Sequence, residues 1–157
     1  METTRFRVAV GADDAGYALK ETIKAVLLAD ERVSDVVDFG VHDGADTEPY
    51  PRVAITAAEA VQRGDVDRAL LVCGTGIGVA ISANKVPGVR ATVAHDSYSV
   101  ERSVLSNNAQ VLCFGARVIG EHLAGKLIRE WLSHEFDDQS PSAMKLSIIN
   151  DYEVAHP

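Results

Sequence analysis

Apolar residues recur in short unbroken runs, separated by longer stretches in which they return every three or four positions. The first run, Phe6-Arg7-Val8-Ala9-Val10, stops at Gly11 and predicts a buried strand. Leu19, Ile23, Val26 and Leu27 follow at i, i+4, i+7 and i+8, so residues 15–30 predict a helix with that face inward and Lys20, Glu21 and Lys24 in water. Residues 33–39 predict a second strand closing at Gly40, and 42–51, with two prolines around Tyr50, a loop. Pro51 can open the next helix, with Ala54, Ala57, Ala58 and Val61 as a small-residue inner stripe. Arg68–Cys73 is a third strand, and a glycine run leads from it into a helix over 78–84. Strands over 89–94 and 110–114 and helices over 97–105 and 120–133 complete the alternation, the last helix amphipathic through Leu123, Leu127 and Trp131.

Strands separated by helices of this length pair in parallel through right-handed crossovers. The expected fold is therefore α/β: a three-layer α/β/α sandwich around a Rossmann-like five-stranded parallel sheet. From residue 136 the pattern turns polar, then offers a helix over 143–152 with little core to join. The expected organisation is one domain, with a main body over 1–135 and a tail over 136–157 that packs on a partner subunit, where Trp131 is also a candidate contact.

The 157 residues suit one hydrophobic core, and a net charge of −8 disfavours broad binding to nucleic acid or to an anionic membrane surface. An anionic ligand must then be met locally. Two cysteines make no disulfide framework, the N-terminus lacks the form of a signal peptide, and no apolar run has the length of a membrane span, so a cytoplasmic location is expected.

In an open parallel sheet the ligand crevice lies beyond the carboxyl ends of the strands. Those ends carry Asp13 and Asp14, Cys73, His95 and Asp96, and Arg117. Cys73-Gly74-Thr75-Gly76-Ile77-Gly78 is the sharpest feature, because glycines let backbone N–H groups turn inward and the following helix adds its positive end. The loop suits phosphate, carboxylate or an oxyanion. It is neither a Walker motif nor the G-x-G-x-x-G dinucleotide fingerprint. A cysteine opening such a loop has its thiolate stabilised and can serve as base or nucleophile. Cys113 reads as a core residue, Asp14 as the cap of the first helix, and Asp13 as the carboxylate turned to the crevice. His95 is either a site member or a satisfied structural residue, and no pair of histidines has ligand spacing, so no metal is expected.

Taken in order, Gly11-Ala12-Asp13-Asp14-Ala15-Gly16-Tyr17 with Leu19-Lys20, Tyr50-Pro51, the glycine loop with Ala83-Asn84-Lys85, Ser106-Asn107-Asn108-Ala109-Gln110 and Phe114-Gly115-Ala116-Arg117 resemble the type B ribose-5-phosphate isomerases and the related galactose-6-phosphate isomerase subunits. The resemblance runs from Val8 to about Phe136. It implies a metal-independent, cofactor-free aldose–ketose isomerase of a phosphorylated sugar, working through an enediolate. Cys73 is then the base, Thr75 relays the proton between the sugar oxygens, and the N–H groups of Gly74, Gly76, Ile77 and Gly78 hold the enediolate oxygen. Asp13, Asp14, Tyr50 and Asn107 line the sugar site. The resemblance also implies a homodimer or dimer of dimers with the site between subunits, Arg117 reaching the phosphate in the neighbouring protomer.

Three departures bear on the substrate. Asp13-Asp14 stands where many members have Asp-His, Ser106 stands where ribose-5-phosphate isomerases have a ring-opening histidine, and Ser140-Pro141-Ser142-Ala143-Met144-Lys145 stands where they carry tail arginines. Lys145, with Ser140 or Ser142, is the candidate phosphate group in their place. A site without a ring-opening acid suits a tetrose 4-phosphate, whose O4 is esterified, so D-erythrulose 4-phosphate to D-erythrose 4-phosphate is the expected conversion. Ribose 5-phosphate to ribulose 5-phosphate is the alternative. A non-catalytic phosphate- or nucleotide-binding module is the reading from another class.

Overall fold

The computed structural model describes residues 5–157. Five strands form one wholly parallel sheet: β1 (Phe6–Ala12), β2 (Val33–Asp38), β3 (Arg68–Cys73), β4 (Ala91–Val93) and β5 (Val111–Gly115), in the order β2-β1-β3-β5-β4. The connecting helices are α1 (Tyr17–Leu28), α2 (Tyr50–Arg63), α3 (Ile77–Ala83), α4 (Ser97–Leu105) and α5 (Glu121–Trp131), and α6 (Pro141–Ala155) follows. This is the expected three-layer architecture.

The two faces of the sheet bury different side chains. Val8, Val10, Leu70, Val72, Leu112 and Phe114 meet α1, α4 and α5 through Ile23, Leu27, Val100, Leu127, Ile128 and Trp131. Ala9, Ala69, Leu71, Cys73, Val111 and Cys113 meet α2 and α3 through Ala54, Ala57, Ala58, Val79 and Ala83. The alanine stripe of α2 brings that helix close, as its small residues predict. Trp131 is wholly within the chain's own core, so it is not a subunit contact, and Leu123 is exposed, its place on the inner face taken by Ala124 and Gly125. β4 keeps only three of the six residues expected. It is an edge strand, paired on one side only, and all three of its residues are partly exposed.

Candidate active site

The strand order reverses between β1 and β3: the chain moves outward from β1 to β2, then crosses back to β3. Such a switch point opens a crevice at the carboxyl ends of the two strands. Ala12 pairs with Val72, so Asp13 and Cys73 leave the sheet side by side. The Asp13 N–H still donates to the Val72 carbonyl at 3.4 Å, and Gly16 lies so close to Val72 that a Cβ there would stand 2.5 Å from the Val72 oxygen.

Cys73 is only 4% exposed, and its sulfur accepts the Gly76 N–H at 3.2 Å. Gly76 sits at φ 78°, a left-handed conformation that a side chain would strain. Thr75 is exposed and its Oγ1 accepts the Ile77 N–H at 3.2 Å, leaving the hydroxyl proton free to donate. The Tyr50 ring lies over Gly78, where a Cβ would meet it at 2.6 Å. Ala116 and Arg117 donate their N–H groups to Cys73 O and Gly74 O at 2.9 and 3.0 Å, tying the start of the β5–α5 connection to the loop. The Arg117 guanidinium lies against Gly74 of its own chain, beside the glycine loop. Cys113 is fully buried, and burial first, then its electrostatic coupling to the nearby Cys73, pushes its thiol far above the ordinary range. It is the core residue expected.

The capping role expected of Asp14 falls to Asp13. Asp13 Oδ1 accepts the Gly16 N–H at 2.9 Å and closes the turn into α1, whereas Asp14 is exposed and caps nothing; the N-cap itself is Gly16. One Asp13 oxygen therefore belongs to the turn, because Gly16 must come within reach of Val72. His95 Nε2 accepts the Gly115 N–H at 2.9 Å, and burial lowers its pKa, so the neutral imidazole braces the end of β5.

Lys20, expected in water, is fully buried. Its ammonium donates to both Asp38 oxygens, at 2.8 and 3.0 Å, and to Val41 O. Asp38 also receives Lys24 at 2.9 Å and the Gly40 N–H at 2.8 Å. Gly40 O accepts from Ala12 N and Ala12 O from Val41 N, so this charge cluster holds the ends of β1 and β2 together immediately before Asp13. The missed signal is spacing: position 20 is seven residues before Leu27 and three before Ile23, which puts it on the inner face whatever its charge.

Asn107 and Lys145 are not brought to this crevice. Ser106 and Asn107 precede β5, at the amino end of the sheet, where Arg90 donates to Asn107 O and Asn108 O, both at 3.1 Å. Lys145 is exposed on α6, which is fastened to the 84–90 turn, also before a strand, by Glu153 accepting the Gly88 N–H at 2.8 Å. One chain thus carries the candidate residues in two groups at opposite ends of the sheet: Asp13, Tyr50, Cys73–Gly78 and Arg117 at one, Ser106, Asn107 and α6 at the other. No helix is long and apolar enough to cross a membrane among the described residues.

Residues 8–149 match the Ribose/Galactose Isomerase family. The chain is 58% identical, over 95% of its length and 98% of the relative's, to D-erythrulose-4-phosphate isomerase 2 of Mycolicibacterium smegmatis. It is 45% identical to D-erythrulose-4-phosphate isomerase of Pectobacterium atrosepticum, over 93% of this chain and 94% of the relative. The type B ribose 5-phosphate isomerase of Leishmania infantum superposes with a TM-score of 0.93 at 32% identity, covering 98% of this chain and all of that one, 100%.

Proposed function

The chain belongs to the ribose/galactose isomerase family and is a sugar-phosphate isomerase, and on that premise we propose that it interconverts D-erythrulose 4-phosphate and D-erythrose 4-phosphate with Cys73 as the base. The observation that carries the reading is the Cys73 sulfur at the sheet's switch point, held on the Gly76 N–H at 3.2 Å. From the ketose, the sulfur takes a proton from C1, the electron pair moves into the C1–C2 bond, and charge collects on O2. The glycine loop meets that charge with N–H groups, which are worth more in a site closed to water. Thr75, whose hydroxyl proton is uncommitted, moves a proton between O1 and O2, and Cys73 returns its proton to C2. Electrons balance within the sugar, so the step takes no cofactor and no metal.

Three observations favour the tetrose. Ser106 supplies no acid to open a sugar ring, the tetrose 4-phosphate has none of the furanose type to open, and two relatives named for D-erythrulose 4-phosphate match nearly the whole chain. Ribose 5-phosphate would need another acid, and the His95 Nε2 is already spent on Gly115. The division of site residues between the two ends of the sheet supports a homodimer in which the Cys73 end of one chain meets the Asn107 end of its partner. The 136–157 tail belongs to that contact rather than to a second folding unit, and we place the enzyme in the cytoplasm.

Solvent exchange tests chemistry and substrate together. In deuterated water the protein should label the carbon next to the carbonyl of the tetrose phosphate faster than that of ribose 5-phosphate, and Cys73→Ala should lower kcat about a thousandfold while still binding substrate. Co-assembly of Cys73→Ala with Asn107→Ala should restore activity, since one of the two shared sites is then intact. A preference for the pentose, or no restoration on mixing, overturns the corresponding part.

A further inference from the structure

Resting on the two-chain site just proposed, we infer that Arg102 and Ser106 form the subsite that receives the phosphate of the substrate bound at the partner's Cys73 end. Arg102 lies in the last turn of α4, and its Nη1 donates to Ser106 Oγ at 3.3 Å. That bond uses a lone pair of the hydroxyl and leaves its proton to donate. Asn107 Nδ2 donates to the backbone carbonyl of Arg102 at 3.3 Å, so a residue of the proposed sugar site is tied to the turn that carries the guanidinium and the hydroxyl. A guanidinium edge next to a hydroxyl donor matches two oxygens of a tetrahedral anion.

The fork is not committed elsewhere. Its Nε–H is buried without a partner, and its Nη2 contact is with Glu101 Oε1 of the neighbouring residue at 3.0 Å, between side chains 39% and 40% exposed. An ion pair that exposed holds its members weakly. A buried donor left unpaired marks an arrangement the single chain does not complete. Arg90, another guanidinium at this end, is locked on the carbonyls of Asn107, Asn108 and Gly88 and serves as the brace of the turn. At the opposite end Arg117 lies on the glycine loop, with the carboxylates of Asp13 and Asp14 in the adjoining loop, so a phosphate dianion there gains from a second cation. In a tetrose the phosphate sits on O4, two carbons from the carbonyl carbon of the ketose.

Steady-state kinetics on the full-length protein decide it, with D-erythrulose 4-phosphate as substrate and inorganic phosphate as competitive inhibitor. Arg102→Gln should raise both KM and the phosphate inhibition constant by about ten- to hundredfold while kcat stays within about threefold, and Arg102→Lys should fall between. Ser106→Ala, a minimal change that keeps the charge, should raise both constants by a smaller factor, about three- to tenfold, and serves if Arg102→Gln does not fold. Unchanged KM and unchanged phosphate inhibition in the folded variants overturn the subsite. If the wild type turns over only a pentose phosphate, the tetrose reading fails, while the phosphate inhibition constants still decide the role of Arg102.

Discussion

Lys20 brings a full positive charge into the interior, and the structure shows why the chain tolerates it. Its Nζ has three acceptors, and the carboxylate it meets is itself tied to Lys24 and the Gly40 N–H. Burial alone would raise the Asp38 pKa, yet the two ammonium groups and the N–H outweigh it and bring the value from 3.8 down to about 2. A carboxylate depressed on folding stabilises the native state above its unfolded value and loses that contribution as pH falls through the folded one, so this share is complete above about pH 4 and gone near pH 2. Lys20→Met removes one partner and leaves the carboxylate under-paired, a change that costs about 3–5 kcal/mol in buried pairs and lowers the melting temperature on the order of 10 °C for a chain of this size. Differential scanning calorimetry at pH 7 checks it; a loss under 2 °C, roughly, would mean the pair contributes little net stability. Hydropathy hides this residue, because a lysine reads as polar wherever it stands, and only its seven-residue spacing from Leu27 betrays the inner face.

At the level of elements, β3 was legible to the residue, since Arg68-Ala69-Leu70-Leu71-Val72-Cys73 is apolar from its second position and is stopped by glycine. It is the central strand of five, buried on both faces, and such strands announce themselves. β4 and the inner face of α5 were less legible because an edge strand and a helix boundary are decided by neighbours the local pattern does not contain. The same holds for the glycine loop. Its composition pointed to an anion site, but the close approach that shapes it comes from β5: a Cβ on Gly115 would stand 2.6 Å from the Thr75 carbonyl carbon and 2.7 Å from its Cα. Backbone on backbone leaves nothing flexible to yield. Gly115→Ala should therefore push Thr75 and the loop off the sulfur and reduce kcat/KM about a hundredfold, the scale expected for an ångström of misplacement. The exchange assay reads this directly, and a variant within about threefold of wild type would separate loop position from catalysis.

For the whole molecule, α6 is inverted relative to an ordinary surface helix. It meets the chain through two polar side chains, Asn150 on Arg90 at 3.5 Å and Glu153 on Gly88, and only Leu146 is buried. Met144, Ile148 and Tyr152, spaced by four, form an outward stripe with Ile149 beside it, and all of them are exposed. A helix apolar toward water is built to be covered. The sequence pattern already indicated a helix with little core of its own to join; that the uncovered face lies on the same element as Lys145, at the end of the sheet opposite Cys73, needs the topology. Ile148 is 62% exposed, so Ile148→Glu should leave the fold and melting temperature of the isolated chain nearly unchanged. It should nevertheless shift the elution volume to that of a monomer and abolish turnover, because each half-site then lacks its complement. Light scattering and the exchange assay on the same sample measure both. A monomeric Ile148→Glu variant that still turned over substrate would show that the Cys73 end suffices alone, and an unshifted, active dimer would move the subunit contact to another face.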